Sequence, residues 1–493
     1  MYRIGYDIGS SSVKVALIDV QTGKKVEVLQ EPETEMSITA KQPGWAEQDP
    51  ELWWEYVCTV TKRLLTKREI KPEEISGIGI SYQMHGLVII DDQGQVIRDA
   101  IIWCDSRAVN VGQSAFMAIG TEKCEQTLLN SPANFTASKL GWLAQNEPEN
   151  FKRIAKFMLP GDYIAYRFCG KATTTPSGLS EGVFWNFKDN EVSQDILTHF
   201  GIENRQVPEI CDTFSQQGII AAIGAQESGL AVGTPICYRA GDQPNNALSL
   251  SIFEPGEVAA TGGTSGVMYA VTNSMSVKEY EKVNNFLHVN SSNEHKRIGK
   301  LLCINGCGIT YRWLKDQLDI DSYEDMNTLA GRIPIGSDGV CVLPFGNGAE
   351  RMLKNKDIGA HILNLNYNRH TREHLCRAAL EGIAFSFVYG MEIMREDGIK
   401  SSIIRAGNDN LFRAPIFSET VATLLDHSIE IYDTTGAVGA ARATLVEDRG
   451  LEYVRKAVLD NDYETTYHPL PNKEPYHKAY QNWKSTLKFH LHQ

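Results

Sequence analysis

Ile4-Gly-Tyr-Asp-Ile-Gly-Ser-Ser-Ser-Val-Lys-Val-Ala-Leu-Ile-Asp19 reads as a strand, a turn and a second strand. The first strand is apolar except for Asp7, and the turn is Gly9 followed by three hydroxyl residues. Such a turn offers N–H and O–H donors to phosphate oxygens, and Lys14 adds a point charge; a plain polar hairpin is the simpler reading. Asp7 favours the first, because an acid in an apolar strand is costly without a partner, and a magnesium ion held through water is one. The pattern returns in Glu257-Val-Ala-Ala-Thr-Gly-Gly-Thr-Ser-Gly-Val-Met-Tyr-Ala-Val271. Two strand–turn–strand units, one opening each half, indicate a duplicated α/β architecture with a ligand between the halves and a boundary near residue 250.

The length of 493 residues calls for two domains of roughly 200–250 residues each. A net charge of −13 argues against nucleic acid as a partner, though a local loop and a metal can still hold phosphate. The ten cysteines form no CxxC pair and read as reduced, buried thiols of a cytoplasmic protein. No apolar run reaches bilayer length and no signal peptide is expected, so no membrane partner is expected either. The chain carries no GxxxxGK[ST] motif.

Tyr238-Arg-Ala-Gly-Asp-Gln-Pro-Asn-Asn-Ala-Leu248 places one acid, Asp242, between a short strand and a helix. By position Asp242 is a helix N-cap that faces the positive helix end, which favours its ionised form. An ionised acid in a cleft is also a candidate general base. Asp49-Pro50 reads as a capped helix start, with the tryptophans at 45, 53 and 54 as packing. Ile75–Ile80 is a buried strand leading to Met84-His85, where a lone histidine is first of all a structural one. Residues 170–190, rich in Gly, Ser and Thr, read as a loop at a cleft edge, Leu375–Met394 as a buried helix, and the last fifty residues as helical. Ile403–Gly407 is a strand, with Asn408-Asp-Asn410 as a polar helix start.

In this order the pieces resemble the FGGY carbohydrate kinases over residues 3 to about 445. The carriers are Asp7–Lys14, Trp45-Ala-Glu-Gln-Asp-Pro50, Gln83-Met-His-Gly86, Lys139-Leu-Gly-Trp142, Gly241-Asp242, Gly262-Gly-Thr-Ser-Gly266 and His374–Gly382. The resemblance implies the actin-like ATPase (ribonuclease H-like) fold: two α/β domains, each with a five-stranded mixed sheet, closing on ATP and sugar. It implies residues 1–250 as the domain that binds sugar and supplies the base, 251–450 as the nucleotide domain, and 451–493 as a helical tail. It makes Asp242 the base and Asp7 the residue near Mg2+. Ser11, Ser12, Lys14 and Thr264 become phosphate contacts, with Gly308, Gly407 and Asn408 lining the nucleotide site. Met84, His85, Asp242 and Gln243 become sugar contacts. Family members that act on xylulose share Met-His at 84–85, whereas those that act on glycerol carry Arg-Glu. The implied reaction is ATP-dependent phosphorylation of D-xylulose at its 5-hydroxyl, with a homodimer as the family's usual state. Alternatives are a kinase for ribulose or a polyol, a sugar-binding regulator without turnover, and an actin- or chaperone-like ATPase.

Overall fold

The computed structural model describes residues 1–408 and 410–492. Asp409, inside the stretch read as a helix start, lies outside the described residues. The opening hairpin is β1 (Tyr2–Ile8) and β2 (Val13–Asp19), continued by β3 (Lys25–Glu31). β4 (Ile75–Tyr82) runs parallel to β1. β5 (Phe214–Ile219) and β6 (Pro235–Gly241) complete the sheet, in the order β5-β6-β4-β1-β2-β3. The central strands are buried on both faces, which is why they read as nearly unbroken apolar runs.

The second sheet comprises β7 (Glu257–Gly262), β8 (Gly266–Thr272), β9 (Asn284–Leu287), β10 (Ile298–Ile304), β11 (Ile403–Gly407), β12 (Ile429–Tyr432) and β13 (Tyr463–Tyr467). Its order is β9-β10-β8-β7-β11-β12-β13. The duplication is visible strand for strand. In each half an antiparallel three-strand meander leads into two parallel strands: β3-β2-β1-β4-β6 and β10-β8-β7-β11-β12. This is the five-stranded core of the expected actin-like ATPase fold, widened by one antiparallel edge strand in the first sheet and two in the second.

Helix α1 (Pro50–Arg68) starts as its sequence indicates, with the Asp49 side chain accepting the Glu51 N–H at 2.9 Å. Its own Trp53 and Trp54 side chains are buried. Two readings are corrected. Residues 170–190 contain the buried helix α3 (Pro176–Glu181), with α2 (Thr136–Asn146) earlier in the chain. The Gly, Ser and Thr content reflects tight packing there: the Thr175 hydroxyl caps α3, and Ser177 and Ser180 hydrogen-bond Leu287 on edge strand β9. The C-terminal stretch is not wholly helical, since β13 lies between α8 (Leu451–Asp462) and α9 (Glu474–Leu491) and pairs with β12.

Two helices cross between the halves. α4 (Asp242–Ser249), from the first half, touches β7 and β8, and α7 (Gly436–Ala443), from the second, lies on β1, β2 and β4. α7 can sit that close because it is built of small residues and because β1 and β4 present Gly5 and Gly79. A Cβ at either position would fall on the Ala437 or Ala440 main chain. Asn245 of α4 donates to the Gly436 oxygen at 2.8 Å, tying the two helices together. The second-half core wraps α5 (Gly308–Gln317) and α6 (Arg372–Glu396), the long apolar helix foreseen from residue 375. Cys58, Cys124, Cys237, Cys307 and Cys376 are buried, while Cys104 is exposed.

Candidate active site

The site residues collect at the carboxyl ends of the parallel strands, where an α/β sheet leaves a crevice. β1 ends beside Asp7 and the Gly9–Ser12 turn, β4 leads into Gln83-Met84-His85, and β6 ends at Gly241-Asp242. In the second sheet, β7 runs into Gly263-Thr264 and β11 ends at Gly407.

Asp7 pairs across the strands with Lys14 on β2 and Ser81 on β4, and the Ser81 hydroxyl donates to its Oδ1 at 3.1 Å. Burial raises the Asp7 pKa, opposed by the Lys14 charge and the Ser81 hydrogen bond. Asp242 is not the N-cap: Gly241 holds that position, and α4 begins at Asp242 itself. Its side chain is therefore free for the cleft. The expected preference for the ionised form is also corrected: burial first, then the charge of Asp7, raises its pKa to about 7, while the Gln243 N–H opposes the shift. A carboxyl balanced near neutrality can both accept and hold a proton at working pH.

Met84 and His85 stand next to this turn. A Cβ on Gly241 would lie 2.5 Å from Met84 Cγ and 2.9 Å from Glu181 Oε2, so the turn needs glycine before its acid. His85 takes a positive φ of 62° and is wedged between the rings of Phe135 and Phe286, at 4.7 and 5.4 Å. Its Nδ1 lies 2.9 Å from the main-chain oxygen of Glu181, and since a carbonyl only accepts, Nδ1 carries the proton and Nε2 is an acceptor. Burial, then the Lys139 charge, lowers its pKa to about 3, so the ring is neutral. The lone histidine is thus both structurally satisfied on one side and chemically open on the other.

The remaining sequence carriers build the support. Lys139 is fully buried and donates to the His85 and Ile102 main-chain oxygens at 2.6 and 3.0 Å. Trp142, from the same motif, meets Trp45 edge-on at 5.4 Å, and the Arg107 guanidinium lies over Trp45 at 3.8 Å. Arg107 also pairs with Glu47 at 2.8 Å and with Asp105 at 2.7 Å.

On the second-half side, a cavity of about 220 Å³ is lined by Gly263, Thr264, Gly308, Tyr311, Tyr323 and Leu411, among others. The Gly308 N–H donates to the Gly263 oxygen at 3.1 Å, drawing the start of α5 against the turn after β7. Tyr311 and Tyr323 stack at 5.9 Å and form an aromatic wall. Gly407 and Asn408 close β11 nearby, with the Asn408 N–H donating to the Tyr432 oxygen at 2.7 Å, but Leu411 and Ala414 rather than Gly407 or Asn408 face the cavity. Ser11 and Ser12 lie at the tip of the first hairpin, exposed and half-buried respectively.

Three residues near the site were not singled out from sequence. The field of Asp242 reaches Cys303 on β10, the Arg351 charge acts on His85 and on Cys303, and Glu181 lies under Gly241. Glu181 lies within 170–190, the segment whose composition reads as a loop.

Residues 2–249 match the FGGY family of carbohydrate kinases, N-terminal domain, and the chain belongs to that family. It is 27% identical to the xylulose kinase of Haemophilus influenzae over 98% of this chain and 99% of that protein. It is 30% identical to the xylulose kinase of Bacillus subtilis over 80% of this chain and 78% of that one. Among solved structures, a xylulose kinase from Rhodospirillum rubrum superposes with a TM-score of 0.87 at 24% identity, covering 100% of both chains. A glycerol kinase from Plasmodium falciparum with ADP reaches the same TM-score, 0.87, at 19% identity, covering 100% of this chain and 98% of that one. These superpositions establish the actin-like ATPase fold but leave the sugar to the site residues. The protein is a carbohydrate kinase, and among the described residues no helix is long and apolar enough to cross a membrane.

Proposed function

We propose that this kinase transfers the γ-phosphoryl group of ATP to the 5-hydroxyl of D-xylulose, with Asp242 as the base. The observation that carries this reading is the meeting of three groups at one cleft wall: the neutral acceptor Nε2 of His85, the apolar Met84, and a carboxyl balanced near pH 7. That wall suits a short polyhydroxylated chain held by an acceptor, and similarity to xylulose kinases over most of the chain selects xylulose.

The residues present fit both ATP and magnesium. The aromatic-walled cavity beside Thr264 and Gly308 fits the nucleotide, and two hydroxyl-bearing turns offer donors for phosphates. No cluster of three or more metal-ligating side chains occurs among the described residues, but Mg2+ commonly takes only one or two carboxylates and completes its shell with phosphate and water. Asp7 would provide that carboxylate, and the ion would neutralise charge developing on the phosphates. Ser11, Ser12, Lys14 and Thr264 would position the phosphates, while Gly308, Gly407 and Asn408 would shape the nucleotide side. Met84, His85 and Gln243 would hold the sugar so that its 5-hydroxyl donates to Asp242. As the oxygen–phosphorus bond forms, the hydroxyl proton passes to the Asp242 carboxyl and ADP leaves. Approach of the two halves would exclude water and limit ATP hydrolysis.

The same reading assigns residues 1–250 to sugar and base, 251–450 to nucleotide, and 451–493 to a tail. Ten scattered cysteines with no CxxC pair favour a reducing, cytoplasmic setting. A homodimer is part of the proposal, and sedimentation velocity tests it. ADP release measured against a panel of D-xylulose, D-ribulose, L-ribulose, glycerol and gluconate tests the sugar. The highest kcat/KM should fall on D-xylulose; a higher value for any other compound overturns that choice.

A further inference from the structure

Glu181 ends α3 beneath the floor of the sugar site. It is 1% exposed, and neither of its carboxyl oxygens has a hydrogen-bond partner. A buried acid left so is costly, and a fold that keeps one gains something else from it. Its surroundings indicate what. Its main-chain oxygen fixes the His85 ring at 2.9 Å, and its Oε2 stands 3.7 Å from the same ring nitrogen. Its Oε2 also occupies the space into which a side chain on Gly241 would point, directly before Asp242. The Tyr82 hydroxyl, itself buried, lies alongside the carboxyl and opposes the upward shift of its pKa.

We propose that Glu181 is a positioning residue for phosphoryl transfer: from beneath the sugar floor it links the His85 loop, which reads the sugar, to the Gly241–Asp242 turn, which deprotonates it. The inference rests on the sugar-kinase reading of that site. Glu181 acts through its neighbours, since its side chain is buried beneath them. The titratable groups facing it are Asp242, Tyr82, Asp162, His85, Lys139 and Tyr269. With burial and the Asp242 charge both opposing its ionisation, Glu181 is the acid that keeps its proton, which leaves Asp242 as the one that exchanges. A neutral carboxyl there braces the turn without repelling the base.

The test compares Glu181→Gln with Glu181→Leu in the full-length enzyme. Glutamine reproduces the size and hydrogen-bonding capacity of a protonated carboxyl, whereas leucine fills the space and removes the polar group. The glutamine variant should keep kcat/KM for the sugar within about threefold of wild type, and the leucine variant should lose at least about tenfold, with KM for ATP unchanged in both. The leucine variant should melt no lower than wild type, because replacing an unpartnered buried acid by an apolar side chain is neutral or stabilising. A purely packing role would leave sugar kinetics unmoved in a stable leucine variant, and that result overturns the proposal. Equal loss in the glutamine and leucine variants overturns the neutral-acid role. If the leucine variant does not fold, Glu181→Met gives the same comparison with an unbranched side chain. All rates are taken with the sugar that wild type prefers, so a wrong sugar is detected in the wild-type panel and leaves the Glu181 comparison intact.

Discussion

Lys139 Nζ donates to the main-chain oxygen of His85 at 2.6 Å, from a helix more than fifty residues further along the chain. The interaction explains why a lysine is tolerated with no exposed surface: its charge is spent on carbonyls that would otherwise end a buried loop unpaired. Burial drives the Lys139 pKa down to about 7, opposed by the Asp105 charge. Replacing Lys139 by Met keeps the stem and removes the donor. A lost hydrogen bond from a charged group costs about 1.5–3 kcal/mol, so we predict a roughly tenfold to hundredfold fall in kcat/KM for the sugar. The loss should fall mainly on sugar KM, with ATP KM unchanged, and steady-state kinetics with each substrate varied in turn will show it.

His85 offers Nε2 as an acceptor because Nδ1 is occupied. His85→Ala should raise sugar KM by about tenfold or more, the cost of a buried hydroxyl left without a partner. His85→Gln, which retains an amide oxygen near the Nε2 position, should recover part of that loss. Equal effects of both variants on ATP KM would place the histidine on the nucleotide side instead.

Asp242 makes activity and stability depend on pH in opposite directions. With a pKa of about 7 in the folded chain, its base form accumulates as pH rises, so kcat/KM for the sugar should climb through an acid limb near pH 7 and level off above it. His85, with its pKa pushed to about 3, is neutral across that range and contributes no limb. For stability, the native state binds more protons than the unfolded chain between the ordinary carboxyl value of about 3.9 and the raised folded value. The stabilisation from this group is therefore fully present below about pH 4 and is lost as pH rises through the folded pKa near 7. Asp242→Asn, which cannot ionise, should melt higher than wild type at pH 8, with the difference shrinking towards pH 4, even though it turns over no sugar. Thermal unfolding in matched buffers measures this.

The nucleotide side should respond separately. A Cβ on Gly308 would meet the Gly263 oxygen and push the turn after β7 away from α5. Gly308→Ala should weaken ATP binding by about tenfold, within the range that a packing clash of 1–3 kcal/mol produces, while sugar binding holds. Calorimetric titration with ATP and with sugar, each alone, distinguishes the two.

Much of this arrangement was legible in the chain. Asp7 was conspicuous because an acid in an apolar strand needs a reason, and the two hydroxyl turns stood out because they repeat. The Asp49-Pro50 cap and the long helix after residue 372 follow from local rules. What stayed hidden depends on contacts between distant segments. Residues 170–190 have loop composition, but their small hydroxyl residues serve to pack α3 against β9, and Glu181 came to light only with that packing. Asp242 looked like a cap because Asp before a helix usually is one; its shift by one position, to the first residue of α4, follows from the way β6 feeds directly into the helix. The balance of its charge could not be read locally, since it arises from burial and from Asp7, 235 positions earlier in the chain.

The assignment of Asp242 as the base is tested most directly by sugar-dependent ADP release in Asp242→Ala, measured beside ATP binding by the same protein. The account predicts that release with D-xylulose falls by at least about a thousandfold while the fold and ATP affinity stay close to wild type. Turnover with D-xylulose within tenfold of wild type would contradict it.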